Sequence, residues 1–328
     1  MRAPEFWTGG GGLVPILLSP VSAIYAAATA RRMSRPGWHA PVPVICCGNA
    51  TAGGAGKTTA ALDIGRRLGN RGIAAHFLLR GYGGRLKGPV RVDPAQHDST
   101  AVGDEALLLA AERPTWVAAD RAAGARAAIA AGAQAIVMDD GLQNPTLEKD
   151  LSLLVIDGTY GFGNGRIIPS GPLREPVAAA AARCRAAVLV GPDETGALAA
   201  LPPGMPVLRA RQVPGPEAEM LSGQPVFAFC GIGNPRKFFN TLQEAGALLA
   251  GRQSYADHYP FDESDLRELL AEAESLRAIP VTTRKDFVRI PQAFRNRVTV
   301  VTVRLEWEEP AAIEGLLDPL AARVPMPA

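Results

Sequence analysis

The chain of 328 residues carries almost no net charge, because its 34 basic side chains nearly balance 32 acidic ones and leave +2. Nothing in this balance points to nucleic acid as a partner. The sequence also lacks a Cys-x-x-C pair, and three of its four cysteines, Cys46, Cys47 and Cys230, lie in apolar runs. We therefore expect reduced, buried thiols in a reducing compartment. No repeat of solenoid period is present, and the 47% apolar composition predicts a globular protein with a sizeable core.

Long apolar runs are scarce, and only residues 13–30 approach the length of a membrane-spanning helix. This stretch is uncharged, and arginines follow it at positions 31, 32 and 35. Its 18 residues lie at the lower limit for a span, and Pro15 and Pro20 weaken it further. A signal peptide and an ordinary buried helix stay open as alternatives. We expect a membrane-associated helix within residues 1–35, because the arginines would hold its C-terminal end on the cytoplasmic side.

A phosphate-binding pattern occupies residues 41–67. An apolar run at 42–47 predicts a buried strand, a glycine-rich loop follows at 48–56, and Lys57 and Thr58 open an alanine-rich helix. Glycines at 53, 54 and 56 let successive backbone N–H groups converge on phosphate oxygens, and Lys57 would reach the β- and γ-phosphates. Thr51 departs from the usual pattern, which has glycine there, so an ordinary glycine-rich turn is the alternative. The predicted nucleotide-binding residues are Asn49, Thr51, Ala52, Gly53, Gly54, Ala55, Gly56, Lys57, Thr58 and Thr59.

Pairs of carboxylates flank two later apolar segments. Asp139 and Asp140 come directly after the strand predicted at 133–138, where the Mg²⁺ shell of a P-loop enzyme needs acids. Asp104 and Glu105 precede an apolar run, so they either favour a helix dipole or serve as a base and a metal ligand. His258, flanked by Asp257 and Tyr259, is a candidate general base or base-orienting group, although a lone histidine is more often structural.

Alternating strands and helices up to residue 190 predict a doubly wound parallel sheet. Prolines between 201 and 225 suggest a linker or hairpin, and a second strand, glycine loop and helix begin at 225. We therefore expect an α/β protein: a P-loop NTPase-like doubly wound parallel sheet, a second and smaller α/β domain, and an N-terminal membrane-associated helix. The expected boundaries are 1–35 for that helix, 36–204 for the P-loop kinase domain, 205–224 for the linker or hairpin, and 225–328 for the smaller domain.

Taken together, these motifs resemble the tetraacyldisaccharide 4′-kinases, the lipid A 4′-kinases of Gram-negative bacteria. Thr51 is part of that family's own variant of the loop. The resemblance covers nearly the whole chain, with departures at Thr59, where the family often has proline, and at Asn144, where it often has histidine. We assign Asn144 no role. The matching segments are GNATAGGAGKT at 48–58, RGYGG at 80–84, HDSTAVGDEALLLA at 97–110, DR at 120–121, DDGLQN at 139–144, GFGNGRIIPSGPLREP at 161–176, FCGIGNPRKFF at 229–239, DHYPF at 257–261 and TTRKD at 282–286.

The resemblance implies transfer of the γ-phosphate of ATP to the 4′-hydroxyl of tetraacyldisaccharide 1-phosphate, in lipid A biosynthesis. It implies ATP and Mg²⁺ as cofactors, a glycolipid substrate, no obligate protein partner, and a location on the cytoplasmic face of the bacterial inner membrane. By the same resemblance Asp104 would be the base, paired with His258, beside Lys57. Thr58, Glu105 and one or both of Asp139 and Asp140 would surround Mg²⁺. Arginine forks match phosphate oxygens, so Arg80, Arg85 and Arg174 are candidates for the acceptor's 1-phosphate.

Two other functions compete with this interpretation. A P-loop GTPase or ATPase switch would need, in its GTPase form, an Asn-Lys-x-Asp segment that reads guanine after a late strand, and the sequence has none. A kinase for a soluble small molecule would use the apolar N-terminus only as part of its core, and its activity would not depend on detergent.

Overall fold

Two sheets of unequal size organise the computed structural model of the protein, which describes residues 4–9 and 12–324. The strands in chain order are β1 (Val44–Gly48), β2 (Ala75–Leu79), β3 (Val90–Arg91), β4 (Thr115–Val117), β5 (Ala135–Asp139), β6 (Leu151–Asp157), β7 (Ala186–Val190), β8 (Val207–Pro214), β9 (Pro225–Cys230), β10 (Leu248–Ser254), β11 (Ile279–Thr283), β12 (Thr299–Val301) and β13 (Val303–Trp307). The α-helices are α1 (Leu13–Met33), α2 (Lys57–Asn70), α3 (Ser99–Val102), α4 (Asp104–Ala110), α5 (Arg121–Ala130), α6 (Val177–Ala181), α7 (Pro235–Glu244), α8 (Glu263–Ser275), α9 (Arg284–Phe287) and α10 (Pro310–Ala321).

The large sheet has β1 at its centre. In the described part of the chain its order is β13-β8-β7-β6-β1-β5-β2-β4-β3, and only the edge strands β3 and β13 pair antiparallel with their neighbours. Parallel strands end at the same edge of a sheet, which is where open α/β folds bind ligands. The loop after β1 and the acids after β5 therefore meet there, since β1 and β5 are adjacent.

The helix after the phosphate loop packs closely against the large sheet. Ala60, Ile64 and Leu68 of α2 are fully buried in one hydrophobic cluster with Phe77 of β2. Burial of each Ile, Leu or Phe side chain stabilises the fold by about 1.5–3 kcal/mol. Gly65 makes the close approach possible, because a Cβ at this position would lie 2.5 Å from Phe77 Cζ. This packing fixes the start of α2, and with it the loop, relative to β1.

The smaller sheet has the order β10-β9-β11-β12 and is parallel throughout. Apolar side chains cover both of its faces, with Phe238, Phe239 and Leu242 of α7 on one side and Leu266 and Leu269 of α8 on the other. These residues form a hydrophobic core separate from those of the large sheet. We call β9–β12 with α7–α9 the small unit.

The chain returns to the large sheet after the small unit, which differs from the expected division at 205–224 and 225–328. Within the expected linker, β8 joins the large sheet parallel to β7. Strand β13 pairs antiparallel with β8, and α10 buries Ile313, Leu317 and Leu320 in the core that contains α2. The small unit is thus inserted between two neighbouring strands. Local sequence pattern identifies a strand but not its partner, so this return was not predictable from residues 303–324 alone.

Helix α1 lies on the surface of the large unit. Most of its apolar side chains face outward, and Leu17 and Ile24 are 76% and 72% exposed. Its inner side is fixed by Ser22, whose hydroxyl donates 2.8 Å to Ile167 O and lies 2.8 Å from Ser170 Oγ. An ordinary core helix is therefore not what the structure shows. The helix is long and apolar enough to cross a membrane, a criterion that signal sequences and core helices also meet.

Candidate active site

The phosphate loop joins β1 to α2 and has the backbone expected from its glycines. Gly53 has φ 121° and Gly56 has φ 81°, in a region that side chains with a Cβ rarely adopt. Thr51 does not need this freedom, because it forms an antiparallel bridge with Leu173. The adjacent Ala52 N–H also donates 2.7 Å to Pro172 O. The loop segment 162–174 thus supports the first part of the phosphate loop, which explains why threonine replaces glycine at 51.

Lys57 extends back over the loop. Its Nζ donates 3.0 Å to Asn49 Oδ1 and 3.1 Å to Gly53 O. It also lies 3.8 Å from Asp140 Oδ2. The side chain of Asn49 is held in turn, since its amide donates 3.0 Å to Thr51 Oγ1. The ammonium group is therefore held over the cradle that the loop amides form.

Asp139, at the end of β5, has oxygen chemistry suited to a hard cation. Thr58 Oγ1 donates 2.8 Å to Asp139 Oδ2, whereas Oδ1 is buried and has no hydrogen-bond partner within the described residues. Burial raises the pKa of this carboxyl from 3.8 to about 7, against the opposing effects of Lys57 and Thr58. An orphaned carboxylate oxygen beside a hydroxyl fits Mg²⁺, which prefers oxygen ligands. Residues 4–9 and 12–324 contain no group of three or more metal-binding side chains, but a P-loop site needs only a hydroxyl and a carboxylate beside the phosphates.

Asp140 has a different environment. Arg174 Nη1 donates 2.6 Å to Asp140 Oδ1, and Lys57 Nζ lies 3.8 Å from the other carboxylate oxygen, Oδ2. Burial acts to raise the pKa of Asp140, but Lys57 and then Arg174 outweigh it, and the net direction is downward. The residue has φ 56°, unusual for a side chain other than glycine. The two adjacent acids are thus distinguished by their partners: Asp140 is paired with cations and Asp139 is not.

Asp104 and His258 meet across the two units. His258 Nδ1 lies 2.7 Å from Asp104 Oδ2, and Asp104 is 6% exposed at the first position of α4. His258 has φ 61° in the loop after β10. Lys285 Nζ lies 3.3 Å from His258 Nε2, which favours the tautomer in which Nε2 accepts and Nδ1–H donates to the carboxylate. The same lysine lies 3.9 Å from Glu105 Oε1.

The structure brings together some of the other predicted residues and separates others. Glu105 is close enough to Asp139 that its charge adds to the effect of burial on that pKa, yet its ion-pair partner is Lys285. Arg80 is exposed at the end of β2, and Arg85 is exposed on the following loop. Arg174 is committed to Asp140. Thr59 Oγ1 accepts a 3.4 Å hydrogen bond from Gln212 of β8.

Four further residues of the site were not predicted. Gln143 donates 2.8 Å to Asn49 O and so connects the segment after β5 to the phosphate loop. Arg121 is buried with an unpartnered Nε, as judged on the described residues, and burial lowers its pKa to about 10. Lys285 and Arg289 contact His258 and Asp104 from the small unit. Lys285 lies in the TTRKD segment. Arg289 follows Asp286 by three positions, a spacing that favours an ion pair and was the one signal in the sequence that pointed to Arg289.

A phosphate loop with its lysine, a hydroxyl–carboxylate pair at the next strand and a histidine–aspartate pair facing the same edge define a P-loop phosphotransferase. The sequence profile of the tetraacyldisaccharide-1-P 4′-kinase family matches residues 14–321, and the chain belongs to this family. It is 57% identical over 319 residues to the tetraacyldisaccharide 4′-kinase of Gluconacetobacter diazotrophicus, covering 97% of this chain and 98% of that protein. It is 54% identical over 327 residues to the tetraacyldisaccharide 4′-kinase of Rhodospirillum centenum, covering 98% of this chain and 97% of that protein.

One solved structure agrees with the fold. The crystal structure of the "apo" form of LpxK from Aquifex aeolicus, in complex with ATP, has a TM-score of 0.75 to this structure. The alignment covers 94% of this chain and 99% of that chain at 24% sequence identity. The expected P-loop α/β fold is thus confirmed, and the family expected from the motifs is confirmed by the sequence comparisons.

Proposed function

We propose that this protein transfers the γ-phosphoryl group of ATP to the 4′-hydroxyl of tetraacyldisaccharide 1-phosphate, with Asp104 as the base. The observation that carries the mechanism is the 2.7 Å contact between Asp104 Oδ2 and His258 Nδ1. It leaves Asp104 Oδ1 for the substrate, because the described residues offer that oxygen no hydrogen-bond donor. A base must lie within about 2.6–3.2 Å of the proton it removes, and Oδ1 is the atom that can do so.

The proposed reaction is a direct transfer. Asp104 Oδ1 accepts the proton of the 4′-hydroxyl while the hydroxyl oxygen attacks the γ-phosphorus. The bond from that phosphorus to the β–γ bridging oxygen breaks and releases ADP. His258 donates to Oδ2 and keeps the carboxylate oriented. Lys57 and the loop amides hold the triphosphate, so that positioning and charge neutralisation supply most of the acceleration.

Thr58 and Asp139 would hold Mg²⁺, which when bound neutralises charge on the β- and γ-phosphate oxygens. Asp139 is the better ligand of the two adjacent acids, because its Oδ1 is orphaned while Asp140 is paired with Arg174 and Lys57. We assign Asp140 to orienting that lysine. Glu105 would contribute to the Mg²⁺ site from the side that faces the small unit, because its carboxylate is paired with Lys285.

The acceptor's phosphate lies at the opposite end of the disaccharide from the reacting hydroxyl. Arg174 is therefore a weaker candidate for it than Arg80 or Arg85, because Asp140 holds Arg174 beside the phosphate loop. Arg80 and Arg85 flank the exposed Tyr82 on the loop after β2. We propose that this loop contacts the acceptor headgroup.

We also propose that α1 places the site at the cytoplasmic face of the inner membrane. Its outward apolar side chains fit a lipid phase, and its inner side contacts Ile167 and Ser170. The chain continues from these residues to the segment that supports the phosphate loop at Thr51. A helix seated in the bilayer would thus hold the catalytic edge near the acyl chains.

The test is an assay with radiolabelled ATP and Mg²⁺, in which wild type and Asp104→Asn are each given the disaccharide 1-phosphate lipid or a deacylated, soluble disaccharide 1-phosphate. We expect label on the lipid with wild type only. Label on the soluble disaccharide alone would indicate a soluble-substrate kinase. ATP hydrolysis that neither acceptor alters would indicate an ATPase switch, and either result would overturn the proposal.

A further inference from the structure

Arg289 is the most completely engaged buried cation near the site. Its side chain is 3% exposed. Its Nη2 donates 2.7 Å to Asp286 Oδ1 and 3.1 Å to Gly231 O, and its Nη1 donates 2.9 Å to Tyr259 O. Asp286 is itself fully buried and accepts from Gly231 N–H at 2.8 Å. The guanidinium is therefore fixed inside the small unit on its outer nitrogens.

The remaining nitrogen faces the large unit. Arg289 Nε lies 3.3 Å from Asp104 Oδ2, while its hydrogen is directed to Lys285 O at 3.4 Å. The contact with Asp104 is thus an ion pair at close range rather than a directed hydrogen bond. It involves the same carboxylate oxygen that His258 contacts at 2.7 Å.

We propose that Arg289 is a positioning residue for Asp104, holding Oδ2 between its own guanidinium and His258 so that Oδ1 faces the acceptor hydroxyl. The inference rests on the proposed function, in which Asp104 is the base. A buried carboxylate is costly unless a cation is paired with it, and Arg289 supplies that cation from a site that cannot shift, because three other contacts hold it.

A purely structural explanation makes a different prediction. Arg289 would then serve only to balance Asp286, and removing it would destabilise the fold by leaving a fully buried carboxylate unpaired. Replacing both residues by their neutral counterparts, Arg289→Gln with Asp286→Asn, removes that penalty while also removing the cation beside Asp104. The double variant therefore separates the two roles.

The experiment measures kcat, the KM for ATP and the melting temperature of the full-length protein. For Arg289→Gln we expect kcat to fall about 100-fold, as for loss of an oriented base, with the KM for ATP changed less than about twofold. Arg289→Gln/Asp286→Asn should recover the melting temperature of wild type but keep the low kcat. Arg289→Lys should recover part of kcat, because it keeps the charge but not the planar fork.

Two further arms complete the test. In an Asp104→Asn background, Arg289→Gln should lower the residual rate less than about threefold, since residues acting as one unit are not additive. Arg284→Gln, which breaks the 2.7 Å ion pair with Glu112 of the same interface, should leave kcat unchanged. The proposal is overturned if the double variant regains wild-type kcat. It is also overturned if Arg289→Gln lowers the rate by the same factor in the Asp104→Asn background as in wild type. A wild type inactive on the glycolipid would instead refute the proposed function.

Discussion

His258 Nδ1 lies 2.7 Å from Asp104 Oδ2, although 154 positions separate the two residues and they belong to units with different sheets. The pair exists only because the small unit is docked on α4. Other charges accompany it, with Lys285 near Glu105 and Arg284 on Glu112. Both of these cations come from α9, so one short helix supplies the ion pairs that accompany the contact between His258 and Asp104.

The first prediction concerns His258. His258→Gln removes the ring that holds Asp104 Oδ2 without touching the phosphate loop. We expect kcat to fall about 100-fold, with ATP affinity within about twofold of wild type. His39→Gln is the matched control, because His39 is exposed and its Nδ1 lies 3.3 Å from Glu148 Oε2, a residue outside the site. An unchanged kcat in His258→Gln, measured in the lipid phosphorylation assay, would remove His258 from the chemistry.

The second prediction concerns Lys57. Lys57→Met keeps the length of the side chain and removes its charge beside Asn49, Gly53 and Asp140. Because the ammonium is needed both to bind the triphosphate and to stabilise its transferring group, we expect ATP affinity and kcat each to fall at least about tenfold. Titration calorimetry and the kinase assay measure the two effects. Lys237→Met, at an exposed lysine on α7 of the small unit, should change neither, and wild-type ATP affinity in Lys57→Met would contradict the assignment.

The third prediction is a pH dependence of stability without Mg²⁺ or ATP. The pKa of Asp139 is raised in the fold to about 7, so its contribution to stability is complete below the ordinary value of 3.8 and is lost as the pH rises through about 7. The difference corresponds to about 4 kcal/mol. Asp139→Asn should therefore raise the melting temperature at pH 8 and flatten its dependence between pH 5 and 8, while abolishing activity.

Asp140→Asn is the control for that experiment, since its carboxyl has a lowered pKa and should act in the opposite sense. Its stabilising contribution is present above its ordinary pKa and is lost as the pH falls. The variant should therefore melt earlier than wild type at pH 8. Melting curves of equal pH dependence in wild type and Asp139→Asn would show that Asp139 does not titrate in this range.

The fourth prediction tests the outward face of α1. Leu17→Glu/Ile24→Glu places two charges on side chains that are 76% and 72% exposed. We expect the fraction that sediments with anionic phospholipid vesicles to fall about tenfold, with ATP binding unchanged. Leu248→Glu is the matched control, because Leu248 is also an exposed apolar side chain, at 59%, but lies on β10 of the small unit and not on α1. Equal sedimentation of the α1 variant and wild type would exclude membrane seating through this face.

The phosphate loop and the acids after β5 were predictable because their function depends on local sequence. Glycines at 53 and 56 have the positive φ that the pattern requires, and Asp139 ends a buried strand. The different environments of Asp139 and Asp140 were not predictable, because they depend on Arg174, which is 34 residues further along the chain. Arg289 was missed for the same reason: its contacts with Tyr259 and Gly231 join distant parts of the small unit, and its contact with Asp104 arises only when that unit is docked.

The boundary of the small unit shows the same limit. The apolar pattern of residues 298–305 predicts a single strand, but the structure divides this stretch between β12 of the small sheet and β13 of the large one. Thr302 lies at this division, and its N–H donates 2.6 Å to Glu217 Oε1. Neither propensity nor periodicity distinguishes the two halves, since each pairs according to its three-dimensional neighbours.

The return of the chain to the large sheet has a consequence for biosynthesis. Trp307 Nε1 donates 2.8 Å to Asp63 of the helix that follows the phosphate loop, and α10 covers the same helix. A ribosome makes the nucleotide-binding segment long before the residues that complete its support, since Trp307 follows Asp63 by 244 positions. The nascent enzyme therefore acquires its finished nucleotide site only after the unit carrying His258 has already been made.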